Sequence, residues 1–341
     1  MAEYDQIYNK GAKKIGFDDF SMVKLVGKGS FGKVCVVKKK DTGEIFAMKI
    51  LDKGKVMSTK QEKHTNDEKK ILQHINHPFI VKLHYAFQSP EKLYMVMDYI
   101  QGGELFHKLE IETSLKEDTA KFYTAELVLA LLHLHSLGVV YRDLKPENIM
   151  IDRTGNIVVT DFGLSKQLAD DMKTSTFCGT PDYLAPEVLV AKGYGIGVDW
   201  WSLGCVSYEM MVGNTPFYTD DDNQNQTYQN ILNKDVEFTP DISSDGQDFI
   251  SLCLKKNPDE RIKDADIKKH PWFEGIDWDK LLAKQLPPPW KPQIQSADDT
   301  SHFDEEFVSQ NPNTMTPSDT SALSGQEFNG FTFQNETALA K

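Results

Sequence analysis

The stretch YRDLKPEN, residues 141–148, decides the fold of this chain. It places a carboxylate at Asp143, an ammonium group at Lys145 and a carboxamide at Asn148. A string of this length and order is very unlikely to arise by accident. It lies in a polar region, residues 139–187, whose pattern is typical of loops and short strands. The sequence therefore predicts a functional site in this region.

A second motif, DFG at residues 161–163, follows at a fixed distance. It lies thirteen residues after Asn148 and precedes APE at residues 185–187. DFG alone is common by chance, but this order and spacing are not. The carboxylate of Asp161 is a ligand type that Mg²⁺ prefers, which makes Asp161 a candidate metal ligand.

A glycine-rich segment, GKGSFGKV, occupies residues 27–34. Glycines let the backbone approach phosphate oxygens and present N–H donors without a side-chain clash. The same G-x-G-x-x-G pattern occurs in dinucleotide-binding folds, where it opens a helix. Here KVCVVK, residues 33–38, continues as a strand. The pattern therefore favours another phosphate-binding fold over a nicotinamide enzyme.

A lysine in a predicted strand, Lys49, follows the glycine-rich segment. A buried lysine needs a carboxylate partner or a bound anion. Glu68, on a helix predicted over residues 59–74, is the natural partner. The alternative is an ordinary surface lysine on a strand.

The composition is that of a soluble globular protein with an acidic balance. The 341 residues are 40% hydrophobic and 26% charged, and the formal net charge is −13. This charge disfavours nucleic acids and anionic membranes as partners, because both are polyanions. No apolar run predicts a membrane domain, and none of the four cysteines forms a C-x-x-C pair. We expect a monomer with reduced thiols in the cytoplasm, with the nucleus as a further location.

Together these motifs follow one order, and the sequence resembles the eukaryotic protein-kinase superfamily over residues 20–273. The resemblance implies an α+β, bilobal kinase fold, with a small β-rich lobe over residues 20–100 and a larger helical lobe over residues 101–273. It also implies ATP and Mg²⁺ as cofactors, bound in the cleft. A short extension, residues 1–19, precedes this domain, and a tail, residues 274–341, follows it.

The resemblance assigns chemical roles to the motif residues. Asp143 would accept a hydrogen bond from the attacking hydroxyl, and Lys145 would neutralise charge on the γ-phosphate. Asn148 and Asp161 would ligate Mg²⁺. Tyr141 replaces the more common histidine, as it does in many members of the superfamily. The implied catalytic residues are Asp143, Lys145, Lys49 and Thr180.

A nucleotide site is implied as well. Lys49 would bind the α- and β-phosphates and would be held there by Glu68. Met97 falls at the gatekeeper position, and residues 98–100 form the expected hinge. The residues implied to bind ATP are Val26, Gly27, Lys28, Gly29, Ser30, Phe31, Gly32, Lys33, Val34, Lys49, Glu68, Met97, Asp98, Ile100 and Glu104.

The stretch TFCGTPDY, residues 176–183, resembles the activation segment of the AGC group of protein kinases. Asp182 replaces the glutamate of most members, which is a conservative departure. The resemblance makes Thr176 the activation-loop phosphosite, whose phosphate would add about −1.5 to −2 charge. The alternative is an ordinary loop threonine. The residues implied to coordinate the phosphate are Arg142, Lys166 and His64.

An aromatic motif, FNGFTF at residues 328–333, lies in the polar, acidic tail. It resembles the AGC hydrophobic motif, with Thr332 as a phosphosite, and Thr316 resembles the turn-motif site. Three aromatic side chains would gain by docking in a pocket, which we expect near Lys53 and the helix that carries Glu68. The alternative is a disordered tail.

Past this motif the chain continues to Lys341, as in the AGC cluster that contains Akt, SGK and the ribosomal kinases. Because 19 residues precede the kinase region, we expect no PH domain of the Akt type. The resemblance implies upstream activating kinases that resemble the phosphoinositide-dependent kinase and TOR.

Three carboxylates predict a basic protein substrate. Glu104, Glu147 and Glu209 match family positions that bind arginines upstream of the phosphorylated residue, and such pairs are charge-assisted. The resemblance therefore implies a preference for R-x-R-x-x-[ST]. The alternative is a pseudokinase scaffold, which usually loses a motif residue. The motif residues retained here are Lys49, Glu68, Asp143, Asn148 and Asp161.

Overall fold

The computed structural model describes residues 14–168, 173–219, 223–313 and 328–335. Contacts between residues divide the chain into two compact units. The first unit draws its described residues from Met1–Lys60, Leu83–Tyr99 and Glu305–Lys341. The second unit draws them from Gln61–Lys82 and Ile100–Asp304.

The regular elements are numbered in chain order. The strands are β1 (Phe20–Lys28), β2 (Gly32–Lys39), β3 (Ile45–Asp52), β4 (Leu83–Gln88), β5 (Lys92–Asp98), β6 (Val139–Val140), β7 (Ile149–Ile151), β8 (Ile157–Val159), β9 (Lys166–Gln167) and β10 (Phe333–Gln334). The α-helices are α1 (Lys53–Ser58), α2 (Glu62–Leu72), α3 (Leu105–Glu112), α4 (Glu117–Ser136), α5 (Pro186–Leu189), α6 (Gly197–Val212), α7 (Gln224–Asn233), α8 (Ser244–Cys253), α9 (Asp264–Ile267), α10 (Trp278–Leu282) and α11 (Glu305–Val308).

The first unit is an antiparallel sheet in the order β1-β2-β3-β5-β4-β10. Aromatic rings pack across its core, with centroids 6.1 Å apart for Phe20 and Phe87 and 5.0 Å apart for Phe87 and Tyr94. Apolar and aromatic side chains suit this half-buried pleated surface. The predicted β-rich small lobe is thus confirmed. The fully buried members of its core include Cys35, Val37, Met48 and Val96.

The helix predicted over residues 59–74 is present as α2, and a further short helix, α1, precedes it. The structure separates α1 from α2 at residues 59–61, which include Lys60. Lys60 has a φ of 58°, a left-handed conformation that a continuous right-handed helix does not contain. α2 belongs to the second unit, where it packs against β9.

The second unit is mostly helical, and α4 packs against α6 in its interior. α4 has acidic residues in its first turn and His133 and His135 in its last turn, which suits the helix dipole. It ends just before Gly138, whose φ of 69° suits a glycine at this position. The predicted helical large lobe is thus confirmed. Among the described helices, none is long and apolar enough to cross a membrane.

A buried ion pair connects α5 to the segment before α9. The two terminal nitrogens of Arg261 donate to the two carboxylate oxygens of Glu187 at 2.7 and 2.9 Å. Arg261 also donates to the carbonyl of Gly197, at the start of α6. Bidentate geometry and further hydrogen bonds are what a buried ion pair requires. The Glu187–Arg261 pair thus joins α5, the start of α6 and the segment before α9.

Candidate active site

The loop after α4 brings the predicted catalytic residues of the second unit together. Thr180 Oγ1 donates to Asp143 Oδ1 at 3.0 Å, and Lys145 Nζ donates to Thr180 Oγ1 at 2.9 Å. The same ammonium group lies 3.6 Å from Asp143 Oδ2. Asn148 Nδ2 donates to Asp143 Oδ2 at 2.9 Å and to its carbonyl at 2.8 Å. One carboxylate is therefore oriented by three side chains.

The environment of Asp143 sets its proton affinity. Burial raises the pKa of the Asp143 carboxyl above its ordinary value, although Lys145 and the hydrogen bonds from Thr180 and Asn148 oppose the rise. The nearby Asp161 carboxylate repels the negative charge of Asp143 and raises its pKa further. A desolvated carboxylate of this kind is a better acceptor for a hydroxyl proton than an exposed one.

The backbone of this loop is held by Asp199 at the start of α6. Asp199 Oδ2 accepts a hydrogen bond from Tyr141 N at 2.9 Å, and its Oδ1 accepts one from Arg142 N at 2.8 Å. Arg142 has a φ of 72°, which is a strained conformation for a residue with a Cβ. Asp199 itself is fully buried. Asp199 thus braces the two backbone amides that precede Asp143.

The DFG segment lies beside the same loop. Thr160, the residue before Asp161, donates from its backbone N to the carbonyl of Asn148 at 2.9 Å. This bond holds the start of the DFG segment beside Asn148. Asp161 has a φ of 48°, and its Oδ1 accepts from Gly163 N at 3.2 Å. Phe162 is buried against Tyr141, with ring centroids 5.2 Å apart. The buried carboxylate of Glu68, on α2, lies close to Gly163.

The donor set of this segment fits Mg²⁺. Asn148 gives its amide hydrogens to Asp143, so the ligand it offers to a metal ion is Oδ1. Asp161 offers a carboxylate on an exposed residue. Within the described ranges, no group of three His, Cys, Asp or Glu side chains is arranged to hold a metal ion. Mg²⁺ in phosphotransfer sites commonly needs only one or two carboxylates, because phosphates and waters complete its shell.

The activation segment carries Thr176 as an exposed residue. Its carbonyl accepts a hydrogen bond from Tyr194 OH, and its hydroxyl lies 3.4 Å from that of Thr174. Lys166 Nζ donates to Thr174 Oγ1 at 2.8 Å, and Arg142 reaches Tyr194 OH at 3.4 Å. Two of the three predicted phosphate-coordinating residues therefore lie in one network with the Thr174–Thr176 stretch.

His64, the third residue of that set, makes a local contact. Its Nδ1 lies 2.6 Å from Oε1 of Gln61, at the start of α2. Its role at a phosphate stays a prediction. Thr174 and Tyr194, which complete the network around Thr176, were not singled out by sequence, because no local pattern marks them.

Glu147 acts on the other two predicted substrate-binding carboxylates. Desolvation and the Glu147 carboxylate raise the pKa of Glu104. Burial, together with the Glu147 and Asp182 carboxylates, raises the pKa of Glu209 to about 7, although Tyr183 OH donates to its Oε2 at 2.6 Å. Glu147 Oε2 is buried without a hydrogen-bond partner. Crowded carboxylates of this kind would be stabilised by a cationic ligand.

In the first unit, the predicted nucleotide residues lie on neighbouring strands. The glycine-rich segment forms the turn between β1 and β2, where Gly29 N donates to Gly32 O at 2.9 Å. A Cβ on Gly32 would lie 1.9 Å from the carbonyl oxygen of Ile50, so only glycine fits there. Lys49 lies on β3 opposite Val34 of β2.

Met97 and Asp98, two further predicted nucleotide-binding residues, are the last two residues of β5. They lie opposite Ala47 and Phe46 of β3. The carboxylate of Asp98 lies 2.6 Å from Nε2 of His84 on β4, a contact that the sequence did not predict. Ile100, the last residue of the expected hinge, is buried in the second unit.

The hydrophobic motif, residues 328–333, docks on the first unit beside Lys53, where the sequence analysis expects it. Phe328 and Phe331 are buried, and Lys53 Nζ lies 5.7 Å from the centre of the Phe328 ring. Gln88 bonds both to the backbone of Phe328, at 3.0 and 3.1 Å, and to Lys53 Nζ at 2.7 Å. β10 then extends the sheet along β4, with Phe333 opposite Ala86.

Thr332 is exposed and borders a cavity of about 820 Å³ whose walls include Lys14 and Lys53. Thr316, the other predicted tail phosphosite, lies outside the described residues.

Nearer the start of the tail, Phe307 on α11 packs against the core of the sheet, and Lys24 Nζ donates to the carbonyl of Val308 at 3.4 Å.

Comparisons with known proteins agree with this fold. Residues 20–273 match the protein kinase domain, and residues 294–333 match the protein kinase C terminal domain. The chain is 47% identical over 334 residues to the RAC family serine/threonine-protein kinase homolog of Dictyostelium discoideum, a match that covers 96% of this chain and 74% of that protein. It is 44% identical over 333 residues to the serine/threonine-protein kinase Sgk1 of Homo sapiens, which covers 94% of this chain and 77% of that protein.

A further relative is the serine/threonine-protein kinase gad8 of Schizosaccharomyces pombe. It is 46% identical over 328 residues, which covers 94% of this chain and 57% of that protein. The chain therefore belongs to the protein kinase family, within its AGC group of serine/threonine kinases. The prediction of a serine/threonine protein kinase is confirmed.

Proposed function

We propose that this kinase transfers the γ-phosphate of MgATP to serine or threonine hydroxyls that follow basic residues, and that phosphorylation of Thr176 and Thr332 activates it. The observation that carries the catalytic part is the orientation of Asp143 by Lys145, Asn148 and Thr180. Protein kinases in general use ATP with Mg²⁺.

The reaction would proceed through positioned groups of this chain. Asp143 accepts the hydrogen bond of the substrate hydroxyl and takes its proton as the oxygen bonds to the γ-phosphorus, while the bond from that phosphorus to the β-phosphate oxygen breaks and ADP leaves. Lys145, next to the same carboxylate, compensates negative charge on the transferred group. Thr180 links the two side chains, so that base and cation keep one geometry.

Metal and nucleotide groups complete this scheme. Asn148 and Asp161 would hold Mg²⁺, which when bound neutralises charge on the β- and γ-phosphates. Lys49 would bind the α- and β-phosphates, and its pairing with Glu68 stays a prediction. The glycine-rich turn would bring backbone N–H groups to the phosphates.

The catalytic role of Asp143 is tested by Asp143→Asn. This variant keeps the shape of the side chain but removes the acceptor for the hydroxyl proton, so we expect ³²P transfer to a basic peptide to fall at least about a hundredfold. Asp266→Asn, which changes an exposed carboxylate paired with Lys269, is the matched control. Equal incorporation by wild type and Asp143→Asn would refute the mechanism and favour a scaffold function.

The proposed basic specificity is supported by the crowding of Glu104, Glu147 and Glu209. Each upstream arginine would bring a positive charge to a cluster in which the Glu147 carboxylate raises the pKa of Glu104 and of Glu209. A bidentate guanidinium would also satisfy the buried Glu147 Oε2. The chain as a whole carries a net charge of −13, but this local cluster, not the net charge, supports the specificity.

Glu104→Gln tests this specificity. Peptides with arginine or alanine three residues before the target serine are compared by kcat/KM. We expect the arginine preference to fall roughly tenfold in Glu104→Gln, because a charge-assisted hydrogen bond becomes a neutral one. Glu110→Gln, on the helix α3 that begins directly after Glu104, should keep the preference. If wild type itself showed no preference for arginine, the basophilic assignment would be wrong.

Regulation by phosphorylation is supported by the accessibility of both threonines. Thr176 and Thr332 are exposed, and each has lysine or arginine side chains in its surroundings. A phosphate at Thr176 would pair with Arg142 and Lys166 and fix the activation segment. Upstream kinases that resemble the phosphoinositide-dependent kinase and TOR would add these groups, and Thr316 would be a third site.

Thr332→Ala is the direct test of the tail phosphosite. After treatment with an upstream kinase and ATP, we expect kcat/KM of Thr332→Ala to stay several-fold below that of wild type, because the phosphate cannot strengthen tail docking. Ser309→Ala, another exposed tail hydroxyl, should activate normally. Full activation of Thr332→Ala, with Thr176 phosphorylation verified by mass spectrometry, would exclude a regulatory role for Thr332.

A further inference from the structure

His135, in the last turn of α4, lies between two carboxylates from two other helices. Its Nε2 is 3.0 Å from Asp199 Oδ2, and its Nδ1 is 3.1 Å from Asp264 Oδ2. The imidazole is fully buried, as is the side chain of Asp199. A neutral imidazole has one N–H and can donate to only one of the two carboxylates. Both contacts are satisfied at once only if both ring nitrogens carry hydrogen.

We propose that His135 is held as an imidazolium and acts as a positioning residue for the catalytic loop. It touches neither substrate nor nucleotide in this proposal and acts through Asp199. The inference rests on the proposed role of Asp143, because its kinetic consequence requires that Asp143 be the base.

Asp199 transmits the effect to the loop. The same Oδ2 that faces His135 accepts from Tyr141 N, while Oδ1 accepts from Arg142 N. These two amides immediately precede Asp143 in the chain. A fully buried carboxylate is stabilised by a cation and by hydrogen-bond donors around it. The imidazolium therefore supports the carboxylate that holds the strained Arg142 backbone in place.

Asp264, at the start of α9, is itself fixed. Its Oδ1 accepts from Trp200 Nε1 at 2.8 Å, and the Trp200 indole stands edge to face against the His135 ring with centroids 4.9 Å apart. The groups that face the imidazole are thus one carboxylate and one indole from α6 and one carboxylate from α9. The catalytic loop adds the backbone amides bound to Asp199.

The electrostatics agree with the geometry. Burial alone would lower the pKa of His135, but hydrogen bonds and charge interactions with Asp199 and Asp264 outweigh it and raise the pKa to about 9. Because the folded pKa lies above the ordinary value of about 6.5, the contribution to stability is complete below that ordinary value. It is lost as the pH rises through about 9.

His135→Gln tests the positioning role against a matched control, His270→Gln. His270 is also buried, and its Nε2 lies 3.1 Å from Asp248, but its Nδ1 accepts from Trp272 N. We expect His135→Gln to lower kcat roughly ten- to a hundredfold with little change in KM for ATP, whereas His270→Gln retains wild-type kcat. All variants are compared at equal Thr176 phosphorylation.

An NMR titration distinguishes a role for the positive charge of His135 from a role for its packing alone. In the full chain labelled with [¹³Cε1]histidine, the His135 signal, which His135→Gln identifies, should titrate near pH 9. Asp264→Asn should lower this midpoint by one unit or more and shift the alkaline limb of kcat with it. If His135→Gln does not fold, the histidine signal whose titration midpoint falls in Asp264→Asn is assigned to His135.

Two results would overturn the proposal: titration of His135 at pH 6.5 or below, or wild-type kcat in His135→Gln. The NMR midpoint does not depend on catalysis. Asp143→Asn should therefore leave it unchanged, and a failure of the Asp143 mechanism is distinguishable from a failure of this inference.

Discussion

The carboxylate of Asp199 is the constraint on which the catalytic loop depends. It binds two consecutive backbone amides, Tyr141 N and Arg142 N, and holds Arg142 at a positive φ. Asp143 follows directly, so its position is set by a backbone that would otherwise relax. The side-chain bonds of Asp143 to Asn148, Thr180 and Lys145 then orient a carboxylate that is already in place.

Much of this site follows from the sequence because its key groups are close in the chain. Asp143, Lys145 and Asn148 lie within six residues, so a short string defines their mutual geometry. The β-rich and helical lobes were predictable for a similar reason, since strand and helix patterns change once along the chain. The break at Lys60 was not predictable, because a positive φ at a lysine has no sequence signal.

Contacts between distant segments were the part that the sequence could not supply. Asp264 lies 129 residues from His135, and no local pattern relates them. Tyr194 reaches Thr176 only because the segment from α5 to α6 returns to the activation segment. Docking of the aromatic tail was predictable from its apolarity, and its place near Lys53 from the resemblance to the AGC group. The added strand β10 was not predictable, because two residues are too few to form a pattern.

Amide hydrogen exchange at Tyr141 and Arg142 measures whether Asp199 holds the catalytic loop. We expect both amides to exchange slowly in the wild-type protein, and we expect Asp199→Asn to accelerate their exchange at least about tenfold while the amides of α4 remain protected. Equal exchange rates in the two proteins at both amides would contradict this role, since the loop would then be held by something other than the carboxylate of Asp199.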